Sequence, residues 1–413
     1  MTEPFDFEAL FAADLPDGAP PWTGFAEYNF IGGHNDPDGI PVEGLIASAE
    51  RVLRRRGRSL ATYNLDDGPQ GDGELRQFLA DKLKRYRGVE ASADEILITS
   101  GSNQALDLIN RVMLDKGDTV IAEQFSYAGM INRLRLCGVD VVGVELDRDS
   151  LRIDRLAEVL EALADKGVTP KFIYTIPTVQ NPTGTVLPLE RRRELLDLSR
   201  AQGVPVIEDE CYADLLWDEE WPISMRGMEG SEHVLHVGSF SKYLSPALRL
   251  GYVLAPPAVL SRLVAVKNDG GTGALTQMIV ADFLAGNYDA HVAGLNDRLR
   301  RKRDAIVAAL EEHFGTAAEF TAPPGGIFIW VKLPPEVDTM KLNDAALAAG
   351  VAFNPGPVWA TDAEPAKNYL RLCFANPSEE QIAAGVAKLA EVCHRETGVP
   401  AQSANVSRDS AAN

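Results

Sequence analysis

The sequence is poor in cysteine. Only four occur in 413 residues, Cys137, Cys211, Cys373 and Cys393, widely spaced and without a C-x-x-C pair. The simple reading is a reduced, cytoplasmic protein with no metal site built on thiolates. Positive charge is also scarce. Forty Lys and Arg stand against 60 Asp and Glu, a net charge of −20. That argues against nucleic acid and anionic membrane as partners. It leaves an anionic cofactor possible, because a site needs only local positive charge. No run approaches the about 20 apolar residues of a membrane span. The N-terminus, MTEPFDFEALFAADLP, is acidic and lacks the basic start and apolar core of a signal peptide. No internal repeat is present.

What the chain does have is length and alternation. With 413 residues, 45% of them hydrophobic, it can bury a large core and make two domains. Residues 1–45 are broken by Pro and Gly and read as an arm. A helix follows over Leu45 to Arg56, then a turn-rich loop through Tyr63 and Asp72, then a helix from Glu74 to Arg87. Strand patterns at Asp94 to Thr99, Thr119 to Ala122, Asp140 to Val144, Lys171 to Ile176, Val204 to Ile207, Val234 to Val237 and Leu250 to Ala255 are interleaved with helical ones. The spacing predicts an α/β fold, a mainly parallel doubly wound sheet covered on both faces, over residues 46–285. Residues 286–396 change character. A charged helix over Asn296 to Phe314 leads into two strands and two helices, a smaller α+β domain. Residues 397–413 are polar and read as a disordered tail.

The chemistry gathers around Gly238 to Tyr252, GSFSKYLSPALRLGY. A buried strand ends there in two hydroxyls, Ser239 and Ser241, then Lys242 and Arg249. Strand ends that open into polar loops are where α/β proteins keep their sites. A lysine can condense with an aldehyde. Hydroxyls and a guanidinium suit a phosphate dianion. Lysine, aldehyde and phosphate together point to pyridoxal 5'-phosphate. Two further junctions fit. Ser100-Gly101-Ser102-Asn103 opens a helix, directing free amides at an anion. Asn181-Pro182-Thr183-Gly184 and Asp209 with Tyr212 also follow strands.

Together these motifs resemble the fold-type-I pyridoxal-phosphate enzymes, specifically the class I/II aminotransferases. The match is to the aminoadipate-aminotransferase-like branch, which also supplies the C-terminal domain of MocR-type regulators. The resemblance spans about residues 28–395 and extends to Tyr127, Arg249-Leu-Gly-Tyr and Arg371-Leu-Cys-Phe. It implies roles for this chain's residues. Lys242 would hold the cofactor and move the substrate proton. Asp209 would pair with the pyridine nitrogen and keep it protonated. Asn181 and Tyr212 would donate to the ring oxygen, and Tyr127 would stack on the ring. Gly101, Ser102, Asn103, Ser239, Ser241 and Arg249 would hold the phosphate. Tyr63 would reach the phosphate in a neighbouring subunit, which implies a homodimer. Arg371 would grip the substrate carboxylate, with Gly33 and Asn181 beside it.

The implied activity is transfer of an amino group between an L-amino acid and a 2-oxo acid. The same lysine and ring could instead serve replacement, carbon–carbon bond formation, cyclisation or oxidation. A ligand-sensing regulator is a third reading, disfavoured by the acidic charge. Three features depart from the family pattern. No second arginine is assignable near Lys267 and Asn268, the loop residues His34 and Asn35 are not diagnostic, and Asp72 is an acid where a larger neutral or aromatic residue is expected.

Overall fold

Seven short runs of β-branched and apolar residues form the central sheet of the computed structural model, which describes residues 5–12, 15–16, 18–19, 21–63 and 67–401. They are β1 (Ile96–Thr99), β2 (Thr119–Glu123), β3 (Asp140–Val144), β4 (Ile173–Thr175), β5 (Val206–Asp209), β6 (Val234–Ser239) and β7 (Gly251–Leu254). Six of the seven are buried along most or all of their length, as strands covered on both faces must be. The order across the sheet is β1-β7-β6-β5-β4-β2-β3. Only β7 runs antiparallel to its neighbours, pairing Gly251 with Thr99 on one side and with Ser239 on the other. The parallel strands therefore point their C-terminal ends to one edge, and the loops leaving that edge carry the site.

Eight helices go with this sheet. They are α1 (Val42–Arg56), α2 (Gly73–Arg87), α3 (Ser102–Met113), α4 (Ala128–Leu136), α5 (Ile153–Asp165), α6 (Leu189–Ala201), α7 (Pro257–Val266) and the 40-residue α8 (Ala274–His313). The two faces bury separate apolar clusters. One joins Leu79, Leu106, Val237 and Leu284; the other joins Leu156, Leu195, Ile173 and Val234. A second sheet, β8 (Glu319–Phe320), β9 (Phe328–Lys332), β10 (Asn354–Pro355) and β11 (Tyr369–Cys373), is antiparallel throughout, in the order β8-β9-β11-β10. It packs with α9 (Thr339–Ala348) and α10 (Glu379–Thr397) around Phe30, Ile329, Leu372 and Val386.

The division expected after residue 285 falls inside α8. This helix leaves one core and enters the next between Leu299 and Ile306 on one continuous stripe, Tyr288, Val292, Leu295, Leu299, Ile306 and Leu310, so no break in the helix marks the boundary. The helix expected only from Asn296 thus begins at Ala274, behind the glycines Gly270, Gly271 and Gly273. The expected N-terminal arm is not separate either. Tyr28–Asn29 pairs in parallel with Val351–Ala352, and Phe30 is fully buried in the smaller core. At the other end, α10 runs to Thr397 and Val399 packs on that core. The tail expected from 397 is therefore ordered as far as 401, and the rest lies outside the described residues. Among the described residues no helix is long and apolar enough to cross a membrane.

Candidate active site

The β1–α3 junction shows why a glycine stands at 101. Its φ is +83°, and a Cβ there would lie 2.5 Å from the Arg249 Nη2 atom. No side chain caps the start of α3, so the Ser102 and Asn103 amides stay free for a ligand, whereas the Gly101 amide, expected to share in this, is taken by the Thr99 carbonyl at 2.8 Å and the Gln104 amide by the Gly101 carbonyl at 3.1 Å. Arg249 itself adopts a left-handed conformation, φ +52°. That backbone turns its guanidinium toward the junction, where it donates to the Ser100 carbonyl at 3.4 Å and the Pro246 carbonyl at 3.2 Å. At the end of β6 the Ser241 amide donates to Ser239 Oγ at 3.1 Å, and both serines line the same cavity. Free amides, hydroxyls and one guanidinium make an anion cradle.

Lys242 follows at once, partly buried. Its Nζ donates to the Gly33 carbonyl at 3.0 Å and lies 5.8 Å from the centre of the Tyr212 ring. A Cβ on Gly33 would fall 2.4 Å from that amine, so a larger residue there would displace it from the carbonyl. Burial holds the amine below its ordinary pKa; Arg371 and Arg249 push the same way, while the Cys373 and Cys211 thiols oppose them. Asp209 closes β5 and is buried. Its Oδ2 accepts from the Tyr174 hydroxyl at 2.7 Å and its Oδ1 from the Cys211 amide at 3.2 Å. Burial raises its pKa, and hydrogen bonds from the Cys211 thiol, the Tyr174 hydroxyl and the Cys211 amide work against the rise. Asn181 Nδ2 donates to the Tyr212 hydroxyl at 3.2 Å, and the Tyr127 hydroxyl to Asn103 Oδ1 at 3.2 Å.

Arg371 reaches this group from β11. One Nη donates to Asn181 Oδ1 at 2.9 Å and the other to the Gly32 carbonyl at 2.6 Å. The guanidinium lies 3.8 Å from the centre of the Trp359 ring, a close cation–π contact. Its Nε is buried without a partner among the described residues. Behind the site, Glu123 ends β2 and accepts from Thr175 Oγ1 at 2.6 Å, the Ile176 amide at 3.2 Å and Gln180 Nε2 at 2.9 Å. It ties the strand that leads to Tyr127 to the loop that carries Asn181. Burial pushes its acid up to about 7 in spite of these donors.

Ten of the residues singled out in the sequence line one cavity of about 110 Å3: Ser102, Asn103, Tyr127, Asn181, Asp209, Tyr212, Ser239, Ser241, Lys242 and Arg249. Gly101, Gly33 and Arg371 contact members of that set. Tyr63 does not line it and is 92% exposed. A larger groove of about 1090 Å3 runs between α2 and α8, but its carboxylates, arginines and tyrosines include none of the strand-end groups. We assign the chemistry to the smaller cavity on that ground. The sequence reading missed Tyr174, Cys211 and Trp359. Tyr174 reads as an ordinary buried strand residue, and Trp359 ends the short 3-10 turn Gly356–Trp359 beside the smaller sheet, with no motif to mark it.

The departures from the family pattern have local explanations. Asp72 caps α2 by accepting from the Leu75 amide at 2.9 Å, and it pairs with Arg56 at 2.7 Å. It serves the helix, away from the cavity. Lys267 is held by Asp269 at 2.6 Å, and Asp269 also accepts from Gln104. His34 lies edge-on to Phe25, and Asn35 donates to the Leu244 carbonyl at 3.3 Å.

This donor set fits pyridoxal phosphate. The cradle offers an anion only neutral and positive donors. Asp209 has no cationic side chain paired with it among the described residues, leaving it for a ring nitrogen. The orphaned Arg371 Nε suits a carboxylate. The comparisons agree. The family model "Aminotransferase class I and II" matches residues 33–389. The 2-aminoadipate transaminase of Thermus thermophilus is 36% identical over 87% of this chain and 88% of its own length. Aromatic-amino-acid aminotransferase 1 of Thermococcus litoralis is 32% identical over 89% and 88%. The crystal structure of LysN, the alpha-aminoadipate aminotransferase of Thermus thermophilus complexed with N-(5'-phosphopyridoxyl)-L-leucine, is 34% identical with a TM-score of 0.82, over 89% of this chain and 92% of that one. The chain belongs to the class I and II aminotransferases.

Proposed function

We propose that this protein is a pyridoxal-phosphate-dependent aminotransferase that moves an amino group between an L-amino acid and a 2-oxo acid. The observation that carries the reading is the meeting of the Lys242 amine, the Asp209 carboxylate and the Arg371 guanidinium around one cavity. When bound, pyridoxal phosphate supplies an aldehyde that takes up amines and a ring that accepts electrons.

The chain's own residues do the rest. Ser102 and Asn103 through their amides, Ser239 and Ser241 through their hydroxyls, and Arg249 through its guanidinium would hold the phosphate, with Gly101 keeping the turn open beside Arg249. Tyr127 would pack on the ring. Asn181 and Tyr212 would donate to the ring oxygen. Asp209 would hold the proton at the ring nitrogen. Arg371 orients the substrate by its carboxylate, with Asn181 and Gly33 beside it. Lys242 Nζ then takes the proton from the substrate Cα. Its depressed basicity supports that role, since an amine must be neutral to act as a base.

The same reading makes the protein a homodimer in the cytoplasm. Its support is the exposed Tyr63, the exposed Val42, Ile46 and Leu53 along α1, and four unpaired thiols. Sedimentation that found a fully active monomer would remove the dimer. The test of the reaction is stoichiometric. With an amino acid alone, one equivalent of 2-oxo acid per site forms and the reaction stops; a second 2-oxo acid restarts it. Sustained turnover without an acceptor would overturn transamination in favour of another reaction on the same cofactor.

A further inference from the structure

We propose that Tyr174 is a positioning residue that acts on the cofactor through Asp209, fixing the carboxylate in plane and keeping it an anion for the ring nitrogen. The inference rests on the pyridoxal-phosphate reading above and adds a residue to it. Tyr174 is the middle residue of β4, next to the strand that ends in Asp209. Both side chains are buried, Tyr174 fully, and the hydroxyl lies 2.7 Å from Oδ2.

A carboxylate at a strand end is free to turn about its terminal torsion. Here one oxygen is held by Tyr174 and the other by the Cys211 amide, and the Cys211 thiol also donates to the carboxylate. Two donors on two oxygens define its plane. Burial by itself favours the neutral acid, which could not hold a proton on a ring nitrogen. A phenol donating to Oδ2 favours the anion, and it reaches an oxygen that the Cys211 amide does not. The phenol cannot serve as the competing anion, because burial and the Asp209 charge hold its own ionisation far above the working range. A purely packing role would not require the oxygen. The equally buried Tyr243 keeps its hydroxyl without a partner, whereas the Tyr174 hydroxyl meets the acid beside the ring.

The test removes one oxygen atom. Tyr174→Phe keeps the ring and its packing. Three quantities are read on this variant and on wild type: the affinity of the apoenzyme for pyridoxal phosphate, the pH midpoint of the bound cofactor's absorbance change, and kcat and KM for an amino acid. The loss of one hydrogen bond to a charged group predicts about tenfold weaker cofactor binding. The midpoint should rise by about one unit, because a less positive ring holds neighbouring protons more tightly. The value of kcat should fall at least about tenfold with KM nearly unchanged. In an Asp209→Asn background the same substitution should add nothing to the midpoint shift.

Unchanged affinity and midpoint in Tyr174→Phe, with only a lower melting temperature, would reduce Tyr174 to packing and overturn the proposal. So would a full additional shift in the Asp209→Asn background. If Tyr174→Phe does not fold, fluorotyrosine at 174 serves. A stronger donor should lower the midpoint, and an unmoved midpoint overturns the proposal. Failure of the underlying reading looks different, since wild type itself would then neither bind pyridoxal phosphate nor show its absorbance.

Discussion

Replacing Arg371 by Lys tests the substrate end of the site with one atom group. The guanidinium makes two hydrogen bonds to the protein, to Asn181 at 2.9 Å and to Gly32 at 2.6 Å, and leaves Nε unpartnered. Its flat face rests 3.8 Å from the Trp359 ring centre and 5.1 Å from that of Phe328. A lysine keeps the charge. It loses the planar fork and the stacking that aims it. A substrate carboxylate would then keep one charge-assisted hydrogen bond of two. One such bond is worth about 1.5–3 kcal/mol, which corresponds to roughly 10–100-fold in kcat/KM.

The assay compares an amino acid with the amine of the same side chain that lacks the carboxylate. Single-turnover rates of each are measured on wild type and on Arg371→Lys. The amino acid should lose about 10–100-fold, while the amine changes by less than about threefold. The preference for the carboxylate thus shrinks by the same factor. Equal losses for both substrates would refute the reasoning. They would mean that Arg371 serves the site by holding Asn181, and that it does not contact the carboxylate.

Three further outcomes are expected. Borohydride reduction of the holoenzyme followed by digestion should place the label on Lys242, and Lys242→Ala should retain weak cofactor binding with negligible turnover; label on another lysine would move the site. Asp72→Ala should cost about 2 kcal/mol in urea denaturation of the apoenzyme, and Asp72→Asn about 1, since the asparagine still caps α2 while Arg56 keeps Asp67 at 3.5 Å and Glu74 at 3.4 Å; equal costs would show that the cap is immaterial. Glu123, raised from 4.5 to about 7, binds its proton more tightly folded than unfolded, so its contribution favours the fold at low pH and is lost by about 3 kcal/mol as pH climbs from 4.5 to about 7, with no further change above. A stability–pH slope in Glu123→Gln identical to wild type would refute that assignment.

The sequence made the strand ends legible because each is local. A buried run, a glycine or polar turn, and a helix start can be read within about a dozen residues, and Gly101, Asp209, Ser239 and Lys242 all sit at such junctions. Contacts between distant segments were not legible. Nothing near Trp359 announces that Arg371 will lie on its ring. Tyr174 carries the pattern of any covered strand, and only the position of its neighbour Asp209 gives its hydroxyl a purpose. Asp72 is the opposite case. An acid directly before Gly73-Glu74-Leu75 is an ordinary helix N-cap signal, and it looked anomalous only against a family expectation. The start of α8 was hidden by glycines before it and by a helix that serves two cores in turn.

Those distant contacts also say how the site becomes one unit. The turn at Gly32 and Gly33 belongs to a segment whose preceding residues, Tyr28–Asn29, pair with the smaller sheet's side of the molecule. Its first carbonyl takes a hydrogen bond from Arg371, which stands on the small sheet, and its second takes one from Lys242, which stands on the large one. The turn therefore couples the group assigned to the substrate carboxylate with the group assigned to its Cα proton. A shift of the small sheet against the large one would move Arg371 and the turn together, and Lys242 would lose its carbonyl partner as they went. Asn181 gives a second link of the same kind, since it accepts from Arg371 and donates to Tyr212. Two bridges across one division, each ending on a residue with an assigned chemical role, make the distance between carboxylate grip and base a property of how the two units pack. That is why the chemistry can be spread over both sheets and still be held to hydrogen-bond length.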